Sequence, residues 1–131
     1  MCIRDRGKGR FTGERQMTDA QRAAMGLASE WLAYHFLRRR YPEYANEGSW
    51  ISGNRVHFFG GEEGDDASGY DFLVKTPQAD WLYEVKSSLE DRGEFELTAN
   101  ELRVASSASK DGRRRYRILY VPYTFLSLIH I

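Results

Sequence analysis

The segment Asp80-Trp81-Leu82-Tyr83-Glu84-Val85-Lys86-Ser87, residues 80–87, decides how this chain is read. Side chains alternate across a strand, so Trp81, Tyr83 and Val85 form one apolar face and Leu82, Glu84 and Lys86 the other. The first face asks to be buried. The second sets a carboxylate and an amine two residues apart, which suits solvent dressing, a structural ion pair or half of a reactive site.

A second strand is expected over 70–75, with Tyr70, Phe72 and Val74 on one face and Asp71 and Leu73 on the other. Thr76-Pro77-Gln78-Ala79 joins the two strands. If Lys75 faces Asp80 across this loop, antiparallel pairing sets Asp71 opposite Glu84, with β-carbons about 4.5–5.5 Å apart. A one-residue slip would undo the convergence of Asp71, Glu84 and Lys86. Two carboxylates that close repel each other and call for a cation. Mg²⁺ (or Mn²⁺) suits them, since it is commonly held by one or two carboxylates, water and substrate phosphate. Lys86 would orient or help to deprotonate the water that attacks phosphorus, which is the chemistry of a phosphodiesterase. The bland alternative is a Glu–Lys pair that satisfies itself and does nothing else.

Outward from the hairpin, Thr18-Asp19-Ala20-Gln21 is a capping-box pattern that opens a helix to about residue 40, stopped by Pro42. Ala20, Ala24, Leu27, Trp31, Tyr34 and Arg38 fall on one stripe of it, with Met25, Leu32 and Phe36 on the other side. Glu30 borders the stripe one turn after Gly26, where the missing side chain permits close backbone approach. A carboxylate on a covered helix is paired, bound to metal or turned to an exposed flank. Short strands are expected near 50–52 and 55–59, separated by Gly53 and Asn54. Residues 60–69 form an acidic loop in which Asp65 and Asp66 either assist metal binding or, the more ordinary reading, are solvated. Another short strand is expected at 95–97. Thr98-Ala99-Asn100-Glu101 is a second capping box, opening a helix to about 109. A basic turn follows over 110–114, then a final strand over 116–121. This order, helix, three or four strands, helix, strand, gives an α/β sandwich around one sheet.

With 131 residues, 41% of them hydrophobic, the chain suits a single domain with a modest core. Nineteen basic and nineteen acidic side chains cancel, so phosphate must be met by local clusters. Arg38-Arg39-Arg40 and Arg113-Arg114-Arg115 are the two available, either as phosphate contacts or as solvated ends. Trp50 and Tyr116 are candidates for stacking on bases, although aromatics at strand ends more often belong to the core. His35 and His57 lack a second histidine at ligand spacing. No apolar run reaches the roughly 20 residues of a membrane helix, and no secretory signal is evident. A soluble cytoplasmic domain is expected.

The two ends look foreign. Met1-Cys2-Ile3-Arg4-Asp5 and Leu126-Ser127-Leu128-Ile129-His130 can be encoded by the two strands of one inverted DNA sequence, which resembles a transposon-end adapter. Residues 1–6 and 126–131 are therefore expected to be translated adapter, 7–17 a linker or tail, and 18–125 one domain. Cys2, the sole cysteine, then drops out, and with it every disulfide or thiol reading.

Gly69-Tyr70-Asp71 followed by Glu84-Val85-Lys86 resembles the D…ExK core of the PD-(D/E)XK, restriction-endonuclease-like nuclease superfamily, with Tyr70 where that motif has proline. More specifically, "GYDFLV … WLYEVKSS … FELTANELRVA … YRILYV" resembles the carboxy-terminal domain of the NO VEIN family, a branch of that superfamily, from about Gly26 to Tyr123. The resemblance implies an α-β-β-β-α-β core with a mixed sheet flanked by helices. It implies that Asp71, Glu84 and the Val85 backbone carbonyl hold Mg²⁺ and that Lys86 is the catalytic lysine. Glu30 matches the acidic residue that the superfamily often carries on its first helix. Asn100 and Glu101 are placed beside the site, to touch substrate or the residues around the metal. A nuclease module of a larger nucleic-acid defence or processing protein is implied, acting on DNA before RNA, and often attached to a helicase or ATPase region. The rival from another class is a catalytically silent domain that binds nucleic acid or a protein partner on the same scaffold.

Overall fold

The computed structural model describes residues 18–61, 64–88 and 95–122. The expectations for residues 1–17 and 126–131 lie outside them. Both capping boxes form as read. Thr18 Oγ1 accepts from Gln21 N–H at 3.0 Å and Gln21 Oε1 accepts from Thr18 N–H at 2.9 Å, opening α1 (Asp19–Arg40). Thr98 and Glu101 repeat the exchange at α3 (Ala99–Ser109). Between them lie α2 (Val56–Phe59), β1 (Phe72–Lys75) and β2 (Asp80–Ser88), and β3 (Arg114–Pro122) ends the described chain.

The three strands make one mixed sheet in the order β1-β2-β3. β1 and β2 pair antiparallel with Lys75 opposite Asp80, the register expected from the four-residue loop. β2 and β3 pair in parallel, with Glu84 beside Ile118. A parallel pair needs a crossover, and α3 supplies it, packing on β3. α1 covers the other face. There Tyr34 and Leu37 join Trp50, Phe72, Val74, Tyr83 and Val85 in the core, each large apolar side chain contributing on the order of 1.5–3 kcal/mol. Leu82 is 1% exposed on the α3 side, so β2 is buried on both faces rather than one.

Several local expectations are corrected. Residues 50–52 and 55–59 do not form strands: Trp50 makes one isolated bridge to Phe72, Gly53–Arg55 is a 3-10 turn and Val56–Phe59 is helical. The Ser52 side chain caps that turn by accepting from Asn54 N–H, a local competitor that the apolar alternation concealed. His57 therefore sits exposed on a helical turn, not on a strand. Residues 95–97 are not a strand. On α1 the buried stripe runs through Glu30, Ala33, Tyr34 and Leu37, while Ala20, Ala24 and Arg38 are exposed. Gly26 has nothing within 4 Å of where a β-carbon would stand, so it does not mediate a close approach.

Gly69 is where glycine is required. Its φ is +87°, and a β-carbon there would lie 2.6 Å from Val104 Cγ2. Backbone strain and overlap both oppose a side chain two residues before Asp71. Gly69→Ala is expected to destabilise the fold by about 2–4 kcal/mol, read as a drop in the midpoint of urea unfolding. An unchanged midpoint contradicts this account of the loop.

Candidate functional site

The hairpin register sets Phe72 opposite Tyr83, and Asp71, the residue before β1, lies beside Val85 with its charge acting on Glu84. Asp71 is anchored by its own N–H, which donates to the Tyr83 carbonyl at 2.8 Å, and by its carbonyl, which accepts from Ile51 N–H at 2.7 Å. Its carboxylate accepts from Val85 N–H at 2.8 Å. The N–H and C=O of a strand residue project to the same side, so the Val85 carbonyl is directed along the same edge.

Lys86 lies two residues beyond Glu84, on the same face. Its Nζ is 3.3 Å from Glu84 Oε2 and 2.9 Å from Glu101 Oε1. Glu101 does two things at once: Oε1 takes the Lys86 ammonium and also accepts the Thr98 N–H at 3.0 Å that caps α3. The cap and the ion pair thus tie α3 to β2 at the point where the charges gather.

These contacts set the proton affinities. Burial, and then the charge of Glu30, raises the Asp71 carboxyl to about 7, against the pull of the Val85 N–H and Lys86. Burial, and then Asp71, raises Glu84 to about 9, although Lys86 opposes it. Desolvation alone would lower Lys86, but the hydrogen bond to Glu101 and the charges of Glu84 and Glu101 outweigh it and raise the amine. Burial would raise Glu101, yet Lys86 and the Thr98 N–H bring it down. At neutral pH the site therefore holds a charged lysine, a charged Glu101 and an Asp71/Glu84 pair that retains protons. Lys86, its amine held up by these neighbours, places a positive charge where it can orient water or stabilise negative charge.

Glu30 lies close enough for its charge to act on Asp71, but its oxygens are taken. Oε1 accepts from the Trp50 indole at 2.8 Å and from the Ser52 hydroxyl, and Oε2 accepts from the Asn54 amide at 2.8 Å. It is buried rather than on an exposed flank, and among the described residues it pairs with no arginine. Ser52 and Asn54 carry no signal for this role in the sequence beyond being polar residues in a turn. Among the described residues, no group of three or more His, Cys, Asp or Glu side chains is assembled as a metal cluster.

The remaining candidates are placed as follows. Asp65 and Asp66 shape their own loop, accepting from Ala67 N–H and Gly53 N–H. Asn100 donates to the Ala67 carbonyl at 2.9 Å, holding that loop to α3. Trp50 is 1% exposed and belongs to the core. Tyr116 donates to the Gly69 carbonyl at 2.9 Å, and burial followed by the charges of Glu84, Glu101 and Asp71 raises its hydroxyl. Arg38 and Arg40 lie over the Tyr34 and Tyr41 rings on the α1 side, and Arg39 lines an apolar groove with Leu119 and Tyr120. Arg113 is spent on Asp80 at 3.1 Å and on the Thr76 and Pro77 carbonyls, bracing the hairpin loop at the far end of β2 from Lys86.

A family model described as "Protein NO VEIN, C-terminal" matches residues 42–124, more than half of the chain. No curated protein and no solved structure matches. The matched span holds Asp71, Glu84, Lys86 and Glu101 and leaves Glu30 outside. Among the described residues, no helix is long and apolar enough to cross a membrane.

Proposed function

The chain belongs to the NO VEIN carboxy-terminal domain family, and from that premise we propose that it is a divalent-cation-dependent phosphodiesterase acting on nucleic acid, built on a restriction-endonuclease-like core. The observation that carries this reading is the Asp71/Glu84 pair. Two neighbouring carboxyls, both buried, the charge of Asp71 raising Glu84 and that of Glu30 raising Asp71, are a poor structural choice unless something positive replaces the protons.

The donors suit a hard cation. Asp71 and Glu84 offer carboxylate oxygens, and the Val85 carbonyl shares their edge. Mg²⁺ or Mn²⁺ bound there would supply Lewis-acid stabilisation of the charge that develops on phosphorus. The side chains around it have definite tasks. Lys86, kept protonated by Glu84 and Glu101, places a positive charge and three donors beside the carboxylates, able to hold a water or a phosphate oxygen in line. Glu101 fixes where that ammonium stands. Glu30 holds Trp50, Ser52 and Asn54, and so secures the segment whose N–H groups support the Asp71 carbonyl.

The test is incubation of the full chain with single- and double-stranded DNA and RNA in Mg²⁺ or Mn²⁺, beside Asp71→Ala and Lys86→Ala. Cleavage is expected in the parent and a loss of at least about 100-fold in each variant. Metal-independent binding with no cleavage would assign the scaffold to binding instead.

A further inference from the structure

The carbonyls of Ala67, Gly69 and Asp71, alternate residues on the way into β1, each accept a hydrogen bond from a different part of the fold. Asn100 Nδ2, in the first turn of α3, donates to the Ala67 carbonyl at 2.9 Å. The Tyr116 hydroxyl, on β3, donates to the Gly69 carbonyl at 2.9 Å. Ile51 N–H donates to the Asp71 carbonyl at 2.7 Å. The segment is thereby tied to α3, to β3 and to the turn that Glu30 secures.

The Tyr116 contact spans the greatest distance across the sheet. In the order β1-β2-β3, β3 lies two strand spacings from β1, roughly 10 Å. Tyr116 pairs with Leu82 and Ile118 with Glu84, and paired residues of neighbouring strands project to one face, so Tyr116 stands on the face of Glu84 and Lys86. From there its hydroxyl reaches past β2 to Gly69. A β-carbon at Gly69 would stand 2.6 Å from Val104 Cγ2 and 3.3 Å from Asn100 Nδ2, so α3 sits directly on the same peptide. Burial, followed by the charges of Glu84, Glu101 and Asp71, raises the phenol, which therefore stays a donor.

Only Tyr70 separates Gly69 from Asp71, and the Tyr70 carbonyl is itself taken by the Ser68 hydroxyl at 2.8 Å. Fixing the Gly69 peptide thus fixes the direction from which Asp71 enters, with its carboxylate on the Val85 N–H at 2.8 Å. α3 holds Lys86 through Glu101 and the loop through the preceding residue, Asn100. We propose that Tyr116, assisted by Asn100, is a positioning residue that sets the Asp71 carboxylate against Val85 and Glu84. That the carboxylate so placed holds a cation rests on the phosphodiesterase reading; its placement does not. A hydroxyl that merely packs the loop would, when lost, loosen the whole hairpin evenly.

Amide hydrogen exchange, followed by NMR on the metal-free full chain, compares the parent with Tyr116→Phe, which keeps the ring, and with Asn100→Ala. The Val85 amide is expected to exchange roughly 3- to 10-fold faster in Tyr116→Phe. The increase should be smaller in Asn100→Ala, where the Tyr116 bond remains. Amides at the Val74–Trp81 end of the hairpin should keep the parent's rates. Mn²⁺ titrated into the same proteins should bind Tyr116→Phe about 10- to 100-fold more weakly than the parent. A Val85 amide at the parent's rate, an even acceleration along β1 and β2, or undiminished affinity in Tyr116→Phe for an ion that the parent binds overturns the proposal. Selective acceleration at Val85 with no Mn²⁺ binding even in the parent would leave the positioning role standing and remove only the cation reading.

Discussion

Replacing Asp71 with asparagine is expected to raise the thermal midpoint at pH 8 by roughly 10 °C while removing cleavage. The carboxyl titrates near 3.8 when unperturbed and at about 7 in the fold. Between those values the folded state holds a proton that the unfolded chain has released, so stability falls as pH rises across this window. Above it, the whole cost of a buried, repelled charge is present. Asparagine keeps an oxygen for the Val85 N–H and carries no charge, so of the roughly 4 kcal/mol that this shift corresponds to it recovers about half, about 2 kcal/mol. In a domain of this size that is roughly 10 °C. Near pH 4 the gain should vanish, because the parent is then protonated as well. Stability and activity moving in opposite directions is the signature of a site strained for function. A lower midpoint for Asp71→Asn at pH 8 contradicts it.

Lys86→Met is the complementary case. The ammonium stands between Glu84 and Glu101, and its removal leaves two largely buried carboxyls facing one another. Breaking a buried charge network by removing one partner costs about 3–5 kcal/mol. With the lysine side chain 18% exposed, about 2–4 kcal/mol is expected at pH 8. Glu101, held down by Lys86, rises without it, so the folded variant takes up a proton in the acid range that the folded parent does not, and the loss shrinks as pH falls through that range. Cleavage should fall at least about 100-fold. Glu101→Gln separates the two duties of that residue. Glutamine can serve in the capping box, so α3 survives, but the charge that holds up the Lys86 amine is gone. The alkaline limb of the cleavage profile is then expected to move to lower pH, with the melting temperature little changed. A profile that does not move assigns Glu101 to capping alone.

The hairpin was legible from local chemistry. A four-residue loop and strict alternation on both sides admit one register, Lys75 opposite Asp80, that sets Phe72, Val74, Trp81 and Tyr83 on one face. Both capping boxes were legible for the same reason, since each is closed by residues three apart. What escaped reading depended on distant parts of the chain. Residues 55–59 alternate like a strand, but Ser52 and Asn54 turn the backbone into helical geometry, and Glu30, far upstream, fixes both. Alanine-rich spacing on α1 admitted two stripes, and only the position of Trp50 and Phe72 selects the one through Glu30 and Leu37. Arg113 and Arg114 are neighbours of like composition with different surroundings: one is held by Asp80 and two carbonyls, the other lines a cavity against the last turn of α3.

The central claim, that Asp71 and Glu84 exchange their protons for a divalent cation, is tested most directly by calorimetric titration of Mn²⁺ into the full chain at pH 7, in two buffers of different ionisation enthalpy. The expected result is saturable binding of one ion with release of about one proton or more, because ligands must be deprotonated to bind. Affinity should rise between pH 6 and pH 8 and be lost in Asp71→Asn. Binding without proton release, or binding undiminished in Asp71→Asn, would contradict the account.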